Sequence, residues 1–547
     1  MCGITVLLKY YKEQYDIKEI SSIQKHRGGD HQGIERTEKV DLGFERLAIE
    51  DLSEAGHQPF LSNDKEIILI HNGEIYNYKM LIKKYQLKVR SSSDSEVILK
   101  LYEHFEGDIE KVLKVIDGMY AFSILDKGRK SLILARDPFG IKPLHYVAKK
   151  DGIAAASELK VIAKMAKGME IKRFKPGHFI KIDTEKEIEC KKGELLGCVQ
   201  FYKPKWFDTR ETFRYHSEEV AQSHIRTLLI EAVQKRIPSI PYGVFLSGGL
   251  DSSLVAGIAT ALTRTSIPSF SVGLSKIEDG KRVPLSPDIE NARIVAKYLK
   301  TDHHEILYTV EEGLKTLKDV IYAAETFDVT TIRSSTPMLM LAREARKYVR
   351  TVLAGEGADE VFCGYAYFSC ASSDEELHKE SVKKVRDLHT ADVQRVDRTS
   401  SYRTLECRVP FMDQDLIDYA MTKIDPADKR FKIGSKMEKL ILRKAFEDDD
   451  FIPREILFRS KIQLSDGVGS LWIDSLKEFA EGQISDEQMA KAKERWPIEP
   501  PTTKEGYLYR DYFAEIFPGQ DQFPTLWKPF SKLVDPSGRF QVEELTK

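Results

Sequence analysis

A cysteine at position 2, in Met1-Cys2-Gly3-Ile4, heads an apolar strand, so loss of one methionine would leave a thiol and an α-amine on the same carbon. Such a residue is a nucleophile carrying its own base. An α-amine titrates at about 7.7–8.0, so a good fraction is neutral near pH 7 and can relay the thiol proton, as terminal amines do for threonine nucleophiles. A second stretch, Ser247-Gly248-Gly249-Leu250-Asp251-Ser252-Ser253, follows the apolar residues 243–246. Its glycines and hydroxyls suit a nest of backbone N–H groups holding phosphate oxygens at the start of a helix. No Gly-Lys-Ser/Thr follows, so it is not a Walker loop, and Asp251 would repel phosphate unless Mg²⁺ intervenes.

A further acidic loop, Ala354-Gly355-Glu356-Gly357-Ala358-Asp359-Glu360, follows the apolar residues 351–354. In a parallel sheet both loops leave the same edge, which predicts that Asp251 and Asp359 share Mg²⁺ on a triphosphate tail. Lys461, in Arg459-Ser460-Lys461-Ile462-Gln463-Leu464, is placed to neutralise a leaving pyrophosphate. The chemistry implied is attack of a carboxylate on an α-phosphorus, governed by in-line positioning and charge neutralisation.

A cysteine attacking a carboxamide needs an oxyanion hole and a grip on the substrate's charged ends. Asn72 and Gly73, read as a loop directly after a strand at residues 67–70, offer a side-chain amide and a backbone N–H to one oxygen. Arg46 could clamp an α-carboxylate and Asp94 an α-ammonium. Each residue alone has a plainer reading: Arg46 as a surface ion pair, Asp94 as a helix N-cap, Asn72-Gly73 as a hairpin turn.

The elements that must position these groups fall into two kinds. Through about residue 195 short strands dominate, with helical periodicity at residues 94–105, an α+β pattern of mostly antiparallel strands. Residues 196–215 carry neither period and read as a linker. From residue 216 strands and helices alternate: strands at 243–246, 269–274, 304–307 and 351–354, helices at 289–299 and 337–348. That alternation implies a parallel sheet with helices on both faces and ligands beyond the strand C-termini. At 547 residues two or more domains are expected, and a net charge of −2 with 41% hydrophobic residues argues against nucleic-acid binding and disorder. The six cysteines form no CxxC pair, and no run of 18 apolar residues or signal peptide is present, so a cytoplasmic small-molecule enzyme away from membranes is expected. His303-His304 lacks a third ligand at metal spacing, and the acidic residues 447–450 read as a solvated loop.

The order of motifs Cys2-Gly3-Ile4, His26-Arg27-Gly28-Gly29-Asp30, Arg46-Leu47-Ala48-Ile49, Asn72-Gly73-Glu74-Ile75-Tyr76-Asn77, Ser93-Asp94-Ser95-Glu96 and Arg136-Asp137-Pro138-Phe139-Gly140 resembles class II glutamine amidotransferases. The resemblance implies an αββα N-terminal-nucleophile glutaminase over residues 2–195. In it Cys2 forms a γ-glutamyl thioester, Asn72 and Gly73 make the oxyanion hole, and Arg46, Glu74 and Asp94 hold glutamine. Residues 216–547 resemble the PP-loop ATP pyrophosphatase domain, specifically that of glutamine-hydrolysing asparagine synthetases. The motifs there are Phe327-Asp328-Val329-Thr330-Thr331-Ile332-Arg333, Gly355-Glu356-Gly357-Ala358-Asp359-Glu360, Glu406-Cys407-Arg408-Val409-Pro410-Phe411-Met412-Asp413 and Ser465-Asp466-Gly467-Val468-Gly469. By this resemblance Leu246 and Val272 meet adenine. Ser247, Gly248, Gly249, Leu250, Asp251, Ser252, Ser253, Ala354, Gly355 and Lys461 surround the phosphates. Glu356 assists formation of β-aspartyl-AMP, Thr330 and Arg333 lie near aspartate, and Lys384, Asp392 and Arg395 hold the intermediate. Mg²⁺ at Asp251 and Asp359, an internal ammonia channel and a homodimer are family expectations. Departures from the family are Gly29 for proline, Ala354 for serine, Cys363 for glycine, and Ile462 and Leu464 beside Lys461. The rivals are a synthetase adenylating another carboxylate and a catalytically idle ATP-sensing homologue.

Overall fold

The computed structural model describes residues 1–459 and 470–528 and packs as two compact units. The first comprises residues 1–203 with the short segments 238–240 and 401–406, and the second the remainder.

In the first unit two antiparallel sheets face each other. One has the order β10 (Lys172–Arg173), β8 (His145–Lys149), β9 (Gly152–Ala156), β1 (Gly3–Lys9), β3 (Val40–Arg46), β2 (His31–Arg36). The other runs β14 (Val199–Gln200), β11 (His178–Asp183), β7 (Ser131–Arg136), β6 (Gly118–Asp126), β5 (Ile67–Ile75), β4 (Phe60–Leu61). The two-residue period of a strand sorts side chains between layers. Ile4, Val6 and Leu8 of β1 meet Ile68 and Ile70 of β5 between the sheets, while Leu69 of β5 and Phe122 of β6 turn outward to the helix Glu96–His104. Each such buried aliphatic or aromatic side chain contributes roughly 1.5–3 kcal/mol. Helices Ile17–Ser22 and Leu159–Ala166 cover the other outer face, giving the αββα layering. Strand β14, at residues expected to be linker, pairs instead with β11.

The second unit is built on a sheet of order β17 (Lys281–Pro284), β16 (Pro268–Glu278), β15 (Gly243–Phe245), β19 (Thr351–Leu353), β20 (Glu406–Arg408), with β18 (Asp302–Tyr308) on β16. The pairs β15/β16, β15/β19 and β16/β18 are parallel, and the edge strand β17 pairs antiparallel with β16. Since β15 and β19 are adjacent and parallel, the loops that follow them emerge at one edge. The helices are longer than the periodicity indicated: Val329–Ala345 starts eight residues before Pro337, and its N-cap, Asp328, accepts from Thr331 N–H. Among the described residues no helix is long and apolar enough to cross a membrane. Within the acidic residues 447–450, Asp449 is in fact paired with Arg226 at 2.6 Å.

Candidate active sites

Cys2 lies buried at the head of β1. Its backbone N–H donates to Asn72 Oδ1 at 3.0 Å, and its Sγ lies 3.8 Å from the Leu47 carbonyl. Burial pushes the thiol up, opposed by the adjacent α-ammonium and by Arg46. That ammonium, on Met1, lies 3.1 Å from Glu406 Oε2. Asn72 and Gly73 are not in a loop or hairpin turn. Both lie inside β5, opposite Ala121 and Tyr120 of β6, because the strand continues to Ile75. Gly73 has φ +151°, and a Cβ there would fall 2.0 Å from the Met119 carbonyl, so only glycine fits. Asn72 Nδ2 makes a long 3.5 Å contact to Ser157 Oγ.

Arg46 is buried rather than a surface ion pair, and its guanidinium donates to the backbone carbonyls of Ser53, at 2.9 Å, and Asp51. Asp94 is not the helix cap: Ser95 holds that position, and Asp94 Oδ2 accepts from Ile75 N–H at 2.7 Å, beside the buried Glu74. Arg46, Asp94 and Glu74 are thus buried, two of them on β3 and β5. Behind the nucleophile the His26-Arg27 motif is joined by Glu158 and Lys160, which no motif marks. Arg27 Nε donates to the Cys2 carbonyl at 2.8 Å and its Nη1 to Glu158 Oε1 at 2.9 Å, while His26 Nε2 and Lys160 Nζ both lie 2.8 Å from Glu158 Oε2. Against the effect of burial, His26, Lys160 and Arg27 hold Glu158 well below the usual carboxylate range. His71, beside Asn72, is pushed down to about 3 by burial and by the Lys142 charge, so it is neutral at working pH.

In the second unit a cavity of about 250 Å³ opens where the β15 and β19 loops emerge. Leu246, Ser247, Gly249, Leu250, Asp251, Ser252, Val272, Ala354, Gly355, Glu356 and Asp359 line it. The loop is shaped by its own hydroxyls: Ser247 N–H donates to Ser252 Oγ at 3.1 Å and Gly249 N–H to Ser247 Oγ at 3.3 Å. Gly249 caps the helix Leu250–Thr263, whose N-terminal N–H groups favour an anion. Two of the expected phosphate residues stand apart. Gly248, φ +71°, packs against Ala292 of the helix Pro287–Leu299, and Ser253 is fully buried within its helix. Lys461 lies outside the described residues. His303 takes a structural place, its ring nitrogens 2.8 and 3.1 Å from Ser269 and Ser271 Oγ.

Asp251 and Asp359 do converge on one cation, but it is an ammonium. Lys439 Nζ lies 2.7 and 2.6 Å from the two oxygens of Asp251 and 2.8 Å from Asp359 Oδ1. Nothing in the sequence marked Lys439; its basic neighbourhood, Lys436-Met437-Glu438-Lys439, was the only trace. Deeper in the cavity Arg395 pairs with Asp392 and lies 3.7 Å from Glu356. Burial holds Glu356 above the usual range despite that arginine. Tyr365 Oη lies 2.6 Å from Glu360 and 2.8 Å from Asp392. Burial, then the charges of Asp392 and Asp359, hold Glu360 well above the carboxylate range. Thr330 and Arg333 are on the wall, yet Thr330 Oγ1 donates to Asp328 at 2.6 Å and Arg333 is clamped by both oxygens of Glu505, at 2.9 and 2.5 Å. Lys384 lines not this cavity but an adjoining one that shares Asp392; its ammonium lies 4.3 Å from the Trp527 ring centre and 3.7 Å from Glu380.

Residues 1–188 match the model of the glutamine amidotransferase domain, and residues 224–376 and 369–535 that of asparagine synthase. A probable glutamine-hydrolysing asparagine synthetase of Dictyostelium discoideum is 40% identical, with each chain covered completely. The chain belongs to the glutamine-hydrolysing asparagine synthetases. Asparagine synthetase B of Escherichia coli is 38% identical over 98% of both chains, and the asparagine synthetase of Zea mays 38% identical over all of this chain and 91% of its own. The two family models together span both units, and the relatives named above, glutamine-hydrolysing asparagine synthetases, match over nearly their whole length.

Proposed function

We propose that the two sites perform one coupled synthesis, in which glutamine supplies ammonia and aspartate, activated by ATP, receives it. With Met1 removed, the α-amine of Cys2 takes the thiol proton and Sγ attacks the glutamine carboxamide. Asn72 Nδ2 and Gly73 N–H stabilise the oxyanion, a contribution of roughly 3–4 kcal/mol per donor. Collapse expels ammonia, with the proton returned from the amine, and water then cleaves the γ-glutamyl thioester to glutamate. Arg46, Glu74 and Asp94 fix the charged end of glutamine; the burial of all three beside the nucleophile supports this role.

In the second unit the aspartate β-carboxylate attacks the α-phosphorus of ATP, releasing pyrophosphate, and ammonia displaces AMP from the resulting β-aspartyl-AMP. Adenine would lie against Leu246 and Val272, with the phosphates over Ser247, Gly249, Ser252 and Gly355. Arg333 and Thr330 face aspartate, and Glu356 with Arg395 and Asp392 borders the reacting carboxylate. Asp251 and Asp359 are the residues that would hold Mg²⁺, which supplies charge neutralisation to the triphosphate when bound. Their fit rests on the two carboxylates already closing on a single cation, Lys439. Two carboxylates with the other ligands drawn from phosphates is a usual Mg²⁺ arrangement, in keeping with the lack of a larger ligand cluster among the described residues.

The observation that carries this reading is that convergence of Asp251 and Asp359 beside a phosphate-shaped loop and Glu356 in one cavity. The test is aspartate labelled with ¹⁸O in its β-carboxylate. Attack at the α-phosphorus puts one ¹⁸O into AMP, whereas activation at the γ-phosphorus would yield ADP and unlabelled nucleotide, and would refute the adenylate.

A further inference from the structure

Asp288 and Arg459 both face the phosphate cavity, and the reaction as derived above uses neither. Arg459 reaches into it from a segment 211 residues beyond the phosphate loop, where its Nη1 donates to the Gly248 carbonyl at 3.1 Å. Its Nη2 lies 3.2 Å from Asp288 Oδ1 in the first turn of the helix Pro287–Leu299. The other cations on the wall are more tightly committed. Lys439 closes on Asp251 and Asp359, Arg333 is bidentate to Glu505, Arg395 pairs with Asp392, and Arg443 donates to Glu438 at 2.5 Å. Arg459 holds the longest bonds of the set, on the side of the cavity where the loop turns.

Asp288 is an awkward neighbour for a polyphosphate. It is buried, and burial outweighs Arg459 enough to raise its carboxyl to about 6, so at neutral pH it is mostly ionised and faces the phosphate site with a negative charge. A planar guanidinium matches phosphate oxygens in pairs as well as it matches a carboxylate.

We propose that Arg459 binds the β- and γ-phosphates of ATP, and then the pyrophosphate product, and that Asp288 competes with them as the partner holding this arginine when no polyphosphate is bound. The inference rests on the reading of this cavity as the ATP site. Its consequence is a site that distinguishes polyphosphate from AMP by one arginine. Departure of pyrophosphate is assisted because Asp288 takes the guanidinium back.

The test is calorimetric titration of the full-length protein, with Mg²⁺ present, by ATP, inorganic pyrophosphate and AMP, for wild type, Arg459→Gln, Arg459→Lys and Asp288→Asn. Loss of a charge-assisted hydrogen-bonded pair corresponds to about tenfold or more in affinity. Arg459→Gln should therefore weaken pyrophosphate and ATP by that factor and leave AMP within about twofold, with Arg459→Lys in between. Asp288→Asn should tighten pyrophosphate several-fold. A pair that merely braces the loop would make both variants weaken all three ligands together, and that result overturns the proposal, as does unchanged pyrophosphate binding in Arg459→Gln. Wild type binding neither ATP nor pyrophosphate would remove the ATP reading itself, an outcome distinct from either.

Discussion

The ammonium of Lys439 sits within 2.7 Å of both carboxylate oxygens of Asp251, a residue 188 positions earlier in the chain. A buried lysine thus occupies the focus of the loop that should receive a triphosphate, with Asp359 completing the cage at 2.8 Å. The proposed adenylation site is thus organised around a lysine ammonium.

Replacing that lysine leaves two carboxylates facing one another. Lys439→Met should lower stability by about 2–4 kcal/mol in the absence of metal, because breaking a largely buried pair strands the remaining charge. Added Mg²⁺ should restore part of the loss by binding between Asp251 and Asp359. Urea denaturation with and without Mg²⁺ measures both effects; an equal loss in the two conditions would speak against a shared metal position.

Gly73 offers a backbone test in the first unit. A methyl group at Gly73 would collide with the Met119 carbonyl at 2.0 Å, so Gly73→Ala must displace the β5 backbone that presents the proposed oxyanion donor. Glutamine hydrolysis should fall by about 10²–10³, the range for loss of one such donor. Synthesis from added ammonium should persist, and loss of both activities would mean that the whole chain, not the donor, is disturbed.

Arg333 and Glu505 form a buried bidentate pair on the wall proposed to hold aspartate. Arg333→Ala should raise KM for aspartate at least tenfold, about 1.4 kcal/mol, with KM for ATP little changed. A parallel rise in both would place Arg333 in general support of the wall.

The Glu158 cluster gives a pH dependence whose sign is fixed. Its carboxyl is held well below the ordinary 4.5 by His26, Lys160 and Arg27, so its stabilisation is complete above pH 4.5 and is lost as pH falls toward the lower folded value. Glu158→Gln should flatten that part of the stability curve below pH 4.5 and loosen the Arg27 contact to the Cys2 carbonyl. An unchanged acid slope in the variant would show that other carboxylates set it.

Local chemistry was readable where neighbours in sequence do the work. The proposed phosphate loop is legible because a short apolar strand, two glycines and hydroxyls that bond one another lie within ten residues. For the residues proposed to hold glutamine the sequence misleads about setting: a glycine after an apolar run reads as a strand end, whereas β6 pairs on through Asn72 and Gly73. Cys363 shows why glycine is usual at its position, since φ is +56° there. What stayed hidden depends on partners distant in the chain. Lys439 is defined by Asp251 and Asp359, Arg333 by Glu505, and Glu158 by His26 and Arg27. No periodicity or spacing marks a side chain whose meaning comes from an element 80 or more residues away.

The most direct measurement of the central claim is mass-spectrometric analysis of products from ATP, Mg²⁺, aspartate and amide-¹⁵N-glutamine, for wild type and Cys2→Ala. Coupled sites should give ¹⁵N-asparagine and AMP from the wild type, and from Cys2→Ala asparagine only when ammonium is added. AMP formed only with a different carboxylate, or ¹⁵N-asparagine still made from glutamine by Cys2→Ala, would contradict it.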